Sequence, residues 1–290
     1  QDDEERAKMT QDTIINEIPP QSPYNAPQEV SKDNFGIKDP EYKENPEADD
    51  KDQILANLAQ FIYSHNPLKG RKGKLLWYPQ RNMYTFIKNA CKQKAKEHPQ
   101  YPKQIWKPYV VDVGCGSGVG SNILSQEAHF VWGIDKNAWS IEFANEAFTR
   151  EKSAEYYSPE VRFDVFDVLE DPRETQKFDV VVAIEVIEHI YDTHKFLTKL
   201  IERFAKKGKE GYNVPQPTEF FISSPNRNFR KINKTQPDNL FHVREWTSQE
   251  LTEILRKYFI NVSLTNQKGE PVPEDTELDE VVLAKCSLPK

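Results

Sequence analysis

The 290-residue chain has few cysteines, no long apolar run and no internal repeat. Its three cysteines, Cys91, Cys115 and Cys286, have neither the spacing of a metal site nor the even number of a disulfide framework, so we expect a reducing, cytoplasmic compartment. No apolar stretch approaches the roughly 18 residues of a membrane span, and no segment resembles a secretory signal. These absences argue against a disulfide-stabilised secreted domain and against a membrane-spanning protein.

Negative charge is concentrated in residues 1–52, which contain 15 acidic and 6 basic side chains and therefore have a net charge of −9. Because the whole chain has a formal charge of −7, residues 53–290 have +2, and a body so nearly neutral does not by itself indicate nucleic-acid binding. Segment 1–52 also has several prolines and few apolar residues, so we predict a disordered or surface-clinging arm. We predict a single folded domain over 53–290, with N-terminal helices in 53–105.

One glycine-rich stretch, VVDVGCGSGVGS at residues 110–121, predicts a ligand-binding turn after a buried strand that contains Asp112. Its glycines stand at alternate positions, Gly114, Gly116 and Gly118. The dinucleotide fingerprint would need a further glycine where Val119 or Ser121 stands. The D-x-G-x-G-x-G spacing instead resembles motif I of class I S-adenosylmethionine-dependent methyltransferases, where the glycines leave room for the amino acid end of the cofactor. A turn that binds no ligand is the alternative.

An acidic residue, Asp135, ends the next apolar stretch, His129–Ile134, 23 residues after Asp112. Ligands of doubly wound sheets lie at the carboxyl ends of strands, and a carboxylate about 20 residues past the glycine-rich turn is the expected partner of the ribose hydroxyls. The alternative is a surface aspartate that caps the following helix. The position therefore predicts a ribose contact.

A third acidic position, Asp167, follows the predicted strand Val161–Val165. The resemblance implies an acid here that binds the adenine amino group, although Asp164 and Asp171 compete for this role. The residues expected to contact the cofactor are Asp112, Gly114, Cys115, Gly116, Gly118, Asp135, Lys136, Asp167, Val168 and Glu185.

Strands and helices alternate through the middle of the chain. The further predicted strands are Phe178–Ile184, Glu219–Ser223, Asn261–Thr265 and Glu280–Lys285. Helical spacing of apolar residues occurs at Ile54–Ile62, Met83–Cys91, Phe196–Phe204 and Glu250–Lys257. This order predicts an α/β, Rossmann-like fold with a seven-stranded, mostly parallel sheet, helices on both faces and an antiparallel terminal strand pair.

The predicted strand that ends at Ile184 leads directly into EVIEH, residues 185–189. Positions i, i+3 and i+4 share one helical face, so we expect Glu185, Glu188 and His189 to converge beside the cofactor. The alternative is that the two glutamates favour the positive end of a helix and that the histidine is packed or hydrogen-bonded in the protein.

EVIEH, a strand-terminal SPN and then His242 in an H-x-x-E-W-T element resemble a group of class I methyltransferases over roughly Val110–Leu251. The group includes the ubiquinone-pathway O-methyltransferases and the small-RNA 3′-terminal 2′-O-methyltransferases. In the RNA-modifying members the acids and histidines hold a divalent ion that also binds the substrate's hydroxyls, so the resemblance implies a site for Mg²⁺ or Mn²⁺. The implied ligands are Glu185, Glu188, His189 and His242. The RNA-modifying members have D-H-K-F-E-W-T, whereas this chain has F-H-V-R-E-W-T from Phe241.

The chemistry predicted from these motifs is transfer of the sulfonium methyl group to a hydroxyl or amine of a polar small-molecule, sugar or nucleotide-linked acceptor. His189 is the first candidate for the general base and His242 the second, with Glu185 as a further catalytic candidate. A metal ion would instead lower the pKa of the acceptor hydroxyl directly. The alternatives are a nucleic-acid methyltransferase, acting by metal-assisted 2′-O-methylation of RNA or on a DNA base, and a non-catalytic cofactor-binding subunit.

Two polar segments bear on the acceptor. Lys69–Arg81 mixes basic residues with Trp77 and Tyr78, a composition that can bind phosphates and stack on bases. Asn226–Phe241 follows the fifth strand and contains amide and basic donors suited to a phosphate, a sugar or a nucleotide. Ordinary solvated loops are the alternative for both segments.

Overall fold

The structure, a computed structural model, describes residues 78–98, 106–148, 160–206, 217–229, 237 and 242–289. The strands within these ranges are β1 (Tyr109–Val113), β2 (Phe130–Asp135), β3 (Glu160–Val165), β4 (Val180–Ala183), β5 (Glu219–Pro225), β6 (Phe259–Asn266) and β7 (Val281–Pro289). The α-helices are α1 (Tyr78–Glu97), α2 (Val119–Ser125), α3 (Ala138–Phe148), α4 (Thr193–Phe204) and α5 (Ser248–Leu255). The predicted acidic arm, the domain boundary at residue 53 and the predicted helix at 54–62 lie outside the described residues.

The seven strands form one sheet in the order β3-β2-β1-β4-β5-β7-β6. β1 to β5 pair in parallel, whereas β7 runs antiparallel to both β5 and β6. The structure thus confirms the predicted Rossmann-like sheet with its antiparallel terminal pair. The strand order reverses between β1 and β4, which creates a crevice at their carboxyl ends where ligands of doubly wound sheets bind.

The central strands are apolar along their whole length because both of their faces are covered. Every residue of β4 is buried. Val181 belongs to a core cluster that includes residues of α4 and α5, whereas Val180 and Val182 belong to a second cluster that includes residues of α1 and α2. Continuous Val runs are typical of parallel strands between two helical layers. The same burial explains why these strands could be predicted from apolar runs.

Capping side chains determine where helices α4 and α5 begin. The Asp192 side chain accepts a 2.8 Å hydrogen bond from the Lys195 N–H at the start of α4. Thr247 and Glu250 form a reciprocal capping box at the start of α5, at 3.1 and 2.8 Å. These caps satisfy N–H groups that a helix cannot pair internally, and so set where each helix begins.

The basic and aromatic segment 69–81 lies largely outside the described residues. Its last residues are helical and do not form the loop of the alternative interpretation, because Tyr78 already begins α1. All three cysteines are free and buried. Among the described helices, none combines the length and apolar character needed to cross a membrane.

Candidate active site at the carboxyl edge of the sheet

The glycine-rich turn connects β1 to α2 beside the crevice. All three glycines have positive φ, with 68° at Gly114, 51° at Gly116 and 79° at Gly118. The N–H groups of Gly114 and Cys115 both donate to the Ile134 carbonyl, at 2.8 and 3.0 Å, and tie the turn to β2. The turn is therefore held in a left-handed conformation that glycine adopts without strain.

The space around the turn differs from one glycine to the next. A Cβ atom at Gly114 would lie 2.5 Å from Cγ2 of Val186, and one at Gly118 would lie 2.8 Å from the Phe163 ring. A Cβ atom at Gly116 would meet no atom of the described residues within 4 Å. The turn is therefore packed against the protein at its two ends and open in its middle, where a ligand can approach the backbone closely.

Asp112, the acidic residue of the motif, lies in β1 and is fully buried. Its carboxylate accepts a 3.0 Å hydrogen bond from the Tyr84 hydroxyl on α1 and a 2.6 Å hydrogen bond from the Ser121 hydroxyl on α2. Burial raises the pKa of Asp112 to about 7, and the two hydroxyl donors oppose this rise. Asp112 thus links the strand to both adjoining helices, and its carboxylate has no exposed surface to offer a cofactor.

Asp135 stands at the carboxyl end of β2. Its carboxylate accepts hydrogen bonds from the Gly116 N–H at 2.9 Å and the Asn137 N–H at 2.8 Å. Burial raises the pKa of this carboxyl, and the two backbone donors oppose the rise. The cap of α3 is Asn137, whose side chain accepts from two N–H groups of the first turn, so Asp135 is not the helix cap of the alternative prediction. The carboxylate lies against the open middle of the glycine-rich turn.

Three acids lie near the end of β3, and each of them has a hydrogen-bond partner within the protein. Asp164 accepts a 2.6 Å hydrogen bond from the Trp132 indole N–H. Asp171 forms an ion pair with Arg173 at 2.6 Å, and this guanidinium lowers the pKa of the Asp171 carboxyl. Asp167 lies two residues beyond the strand, and its carboxylate accepts a 2.8 Å hydrogen bond from the Leu169 N–H. The adenine contact at Asp167 stays a prediction.

The other predicted cofactor residues flank these acids. Cys115 is buried within the turn, with its sulfur 3.7 Å from the Gly116 carbonyl oxygen. Lys136 is exposed directly after Asp135, and Val168 is buried directly after Asp167. Most of the predicted cofactor residues thus lie at the ends of β1, β2 and β3, whereas Asp112 is buried within β1 and Glu185 lies beyond β4.

Glu185 has a left-handed backbone, with φ of 56°, directly beyond β4. Its N–H donates to the Ser223 hydroxyl at 2.8 Å, and the same hydroxyl donates to Oε1 of Glu185 at 2.7 Å. A glutamate in this conformation is strained by about 1–3 kcal/mol and needs support from its surroundings, which Ser223 supplies. The predicted continuous helical face at 185–189 is therefore wrong, because only Ile187–His189 form a short 3₁₀ turn.

Glu188 lies in that turn and is fully buried. Neither of its carboxylate oxygens has a hydrogen-bond partner among the described residues. Burial raises its pKa well above the ordinary value, and the charges of Glu185 and Glu245 raise it further. A buried carboxylate without a donor is costly and rare in native proteins, and an ion that it ligates would account for it.

Glu188, His189 and His242 form a cluster whose potential ligand atoms all lie within 4.8 Å of one another. The two imidazole rings are nearly perpendicular, with centroids 4.9 Å apart. The structure thus brings together three of the four predicted metal ligands. Glu185, the fourth, is outside this group and bonds to Ser223.

The segment that supplies His242 is fastened to the same turn. The Glu188 carbonyl accepts from the N–H groups of Val243 at 2.7 Å and Arg244 at 3.3 Å. Nδ1 of His242 lies 2.7 Å from Oε1 of Glu245, and both side chains are almost fully buried. Sequence reasoning missed Glu245 and Ser223 as site residues. The H-x-x-E spacing from His242 could have indicated Glu245, whereas no pattern in the sequence indicates Ser223.

The polar connection after β5 differs in part from the prediction. Asn226 is buried, and its amide donates to the carbonyls of Thr276 and Asp279 at 2.9 and 3.0 Å. Arg227 forms an ion pair with Glu250 at 2.6 Å. These two predicted acceptor-binding donors therefore bind other parts of the protein, a loop for Asn226 and helix α5 for Arg227, while most of segment 230–241 lies outside the described residues.

Comparison with known proteins identifies the family of the chain. The model of a family described as a methyltransferase domain matches residues 108–258, just over half of the chain. The chain therefore belongs to this family, the class I S-adenosylmethionine-dependent methyltransferases.

Curated relatives and a solved structure extend the comparison. A probable S-adenosylmethionine-dependent methyltransferase of Mycolicibacterium smegmatis is 31% identical over 147 residues, which cover 50% of this chain and 49% of that protein. A ubiquinone biosynthesis O-methyltransferase of Coxiella burnetii is 26% identical over 122 residues, which cover 42% and 45%. The chain spans about half the length of the curated relatives it matches. The methyltransferase domain of bacterial CtHen1 has the same fold, with a TM-score of 0.50 at 19% identity over 72% of this chain and 100% of that domain.

Proposed function

We propose that this protein transfers the methyl group of S-adenosylmethionine to a hydroxyl oxygen of a polar small-molecule, sugar or nucleotide-linked acceptor, with a divalent ion held by Glu188, His189 and His242. The main support is the fully buried Glu188 carboxylate, whose oxygens have no hydrogen-bond partner in the described part of the chain. A methyltransferase that used only cofactor and acceptor would have no reason to bury such a group beside two imidazoles.

The three side chains suit a transition metal. One carboxylate and two imidazoles are the ligand set of many Mn²⁺, Fe²⁺, Co²⁺ and Zn²⁺ sites, whereas Mg²⁺ prefers oxygen ligands and water. The carboxyl groups of Glu185 and Glu245 lie close enough to Glu188 to raise its pKa further, so acidic groups surround this cluster. Because two of the three ligands are imidazoles, we favour Mn²⁺ or a similar ion over Mg²⁺. Glu185 would be a further ligand or a contact to the acceptor.

The cofactor would lie across the carboxyl ends of β1, β2 and β3. The open middle of the turn at Gly116 would accept the amino acid end, Asp135 would accept hydrogen bonds from the ribose hydroxyls, and Asp167 would bind the adenine amino group. The strained Glu185, beyond β4, would then stand between cofactor and acceptor. Holding the sulfonium carbon in line with the acceptor oxygen supplies much of the rate enhancement in a displacement of this kind.

Two routes can remove the proton of the acceptor hydroxyl. In one route, an ion held by Glu188, His189 and His242 would lower the pKa of a hydroxyl that it contacts, and the proton would pass to solvent water. In the other route His189, or His242, accepts the proton as a general base. A histidine cannot offer the same nitrogen to an ion and to a proton, so the two routes are separable by experiment.

Methyl transfer from tritium-labelled S-adenosylmethionine to a panel of catechols, sugar nucleotides and short RNAs tests the proposal. We expect transfer to a hydroxylated acceptor that stops after exhaustive EDTA treatment and returns with Mn²⁺. Transfer that survives EDTA would exclude the metal route and leave the histidine route. A Glu188→Gln variant that still needs Mn²⁺ at the wild-type concentration would place the ion elsewhere.

A second candidate is methylation of a ribose hydroxyl in RNA. The three-residue cluster favours it, because adjacent ribose hydroxyls can both contact one ion. The RNA arm of the panel separates the candidates. RNA binding that weakens steeply with salt would favour the second, whereas no binding at low salt would exclude it.

A further inference from the structure

Glu245 and His242 form a nearly buried pair beside the three-residue cluster. Nδ1 of His242 lies 2.7 Å from Oε1 of Glu245, and the two side chains are only 9% and 4% exposed. This inference rests on the proposed function, because it concerns the same ion. We propose that Glu245 is a positioning residue that fixes the tautomer of His242, so that Nε2 is the nitrogen that binds the metal.

The tautomer follows from the chemistry of the pair. An ionised carboxylate can only accept hydrogen bonds, so a contact at this distance requires the proton to be on Nδ1. In the neutral ring the lone pair is then on Nε2. Histidines that bind metals typically donate their other ring N–H to a carboxylate or carbonyl, which fixes the ring orientation and makes the metal-binding nitrogen more basic.

The backbone around the pair keeps this geometry rigid. On one side of Glu245, the N–H groups of Val243 and Arg244 donate to the Glu188 carbonyl. On the other side, the carbonyl of the buried Trp246 accepts from the Arg227 N–H at 2.9 Å. The segment is therefore held at both ends, and one end is held by the residue that supplies the carboxylate ligand. A shift of Glu245 would be transmitted to the orientation of His242.

A matched control exists nearby. Glu250 lies five residues further along the chain, and its carboxylate pairs with Arg227 and accepts from the Thr247 N–H. Within the described part of the chain, the hydrogen bonds of the Glu250 carboxylate involve Arg227 and Thr247 and not His242. Glu250→Gln therefore removes one negative charge from the same region without changing the histidine's carboxylate partner.

Calorimetric titration of the full chain with Mn²⁺, in the presence of S-adenosylhomocysteine, tests the inference. Removal of such a carboxylate partner typically weakens metal affinity 10- to 100-fold. We expect a loss of about 10-fold for Glu245→Gln, which keeps the shape and a neutral acceptor, and a smaller loss for Glu245→Asp, which keeps the charge. Glu250→Gln should bind Mn²⁺ with an affinity within about twofold of wild type, even if it is less stable.

The outcomes separate this inference from the proposed function. If wild type does not bind Mn²⁺, both are wrong. If wild type binds Mn²⁺ and His242→Ala weakens binding, but Glu245→Gln and Glu245→Asp bind as wild type does, the metal site stands and the positioning role of Glu245 is wrong. If Glu245→Gln and Glu250→Gln weaken binding equally, the effect is one of charge or stability, and the inference is again wrong.

Discussion

Replacing Glu188 by methionine should make the protein more stable and remove its metal site. The carboxylate is fully buried and neither oxygen has a hydrogen-bond partner among the described residues. A buried polar group left without a partner costs about 1–3 kcal/mol. Methionine has similar length and no polar atom that needs a donor, so Glu188→Met should raise the free energy of unfolding by about 1–3 kcal/mol in metal-free buffer.

Added Mn²⁺ should offset most or all of that advantage, because it stabilises only the wild type. An ion that binds only the folded state adds about 2.7 kcal/mol of stability at 100 times its dissociation constant. Urea unfolding of both proteins, in EDTA and in Mn²⁺, measures the two effects separately. The exposed Glu253, replaced in the same way, serves as the control and should change stability by less than about 0.5 kcal/mol. A Glu188→Met protein that is less stable than wild type in EDTA, or that gains equally from Mn²⁺, would refute the reasoning.

Three further variants address the cofactor side. Gly116→Ala should cost only about 1 kcal/mol of stability, since its Cβ meets open space at a φ of 51°. The same change should weaken the binding of S-adenosylhomocysteine about tenfold or more, as measured by the ligand-induced thermal shift. An unchanged thermal shift would contradict a cofactor at this position. The pKa of Asp112 is raised to about 7, so the folded state retains a proton that the unfolded state releases from about pH 4. Between pH 4 and 7, the free energy of unfolding of wild type should therefore fall relative to that of Asp112→Asn by about 2–4 kcal/mol, as measured by urea titrations. A constant difference would contradict this. Ser223→Ala should lower the free energy of unfolding by about 1–3 kcal/mol, because it removes both hydrogen bonds that hold Glu185. Ser224→Ala should lower it by less. Equal losses would contradict the role of Ser223 in holding Glu185.

The sheet could be predicted because its strands combine two independent signals. Continuous apolar runs such as Val180–Ala183 indicate strands buried on both faces, and the acids at 135 and 167 mark where such strands end. The antiparallel pair, β6 and β7, was likewise visible as two apolar runs after the last helix. The bounds of the strands differ from the predicted ones by a few residues. For example, β7 extends to Pro289.

The details of the site depend on contacts between distant residues, which the sequence does not encode locally. Helical spacing predicted one shared face for Glu185, Glu188 and His189, but the backbone at Glu185 is left-handed and is held by bonds with Ser223, 38 positions away. Asn226 resembled a substrate donor, yet its partners are loop carbonyls about 50 residues further on. Composition identifies which side chains are polar; only the fold decides whether they bind the protein or a ligand.

Diffraction at the manganese absorption edge tests the central claim most directly, using crystals grown with Mn²⁺ and S-adenosylhomocysteine. The account predicts an anomalous peak bonded to Glu188, His189 and His242, with the cofactor along the glycine-rich turn at Gly116. Ordered cofactor with no anomalous density at the three side chains, at saturating Mn²⁺, would contradict it.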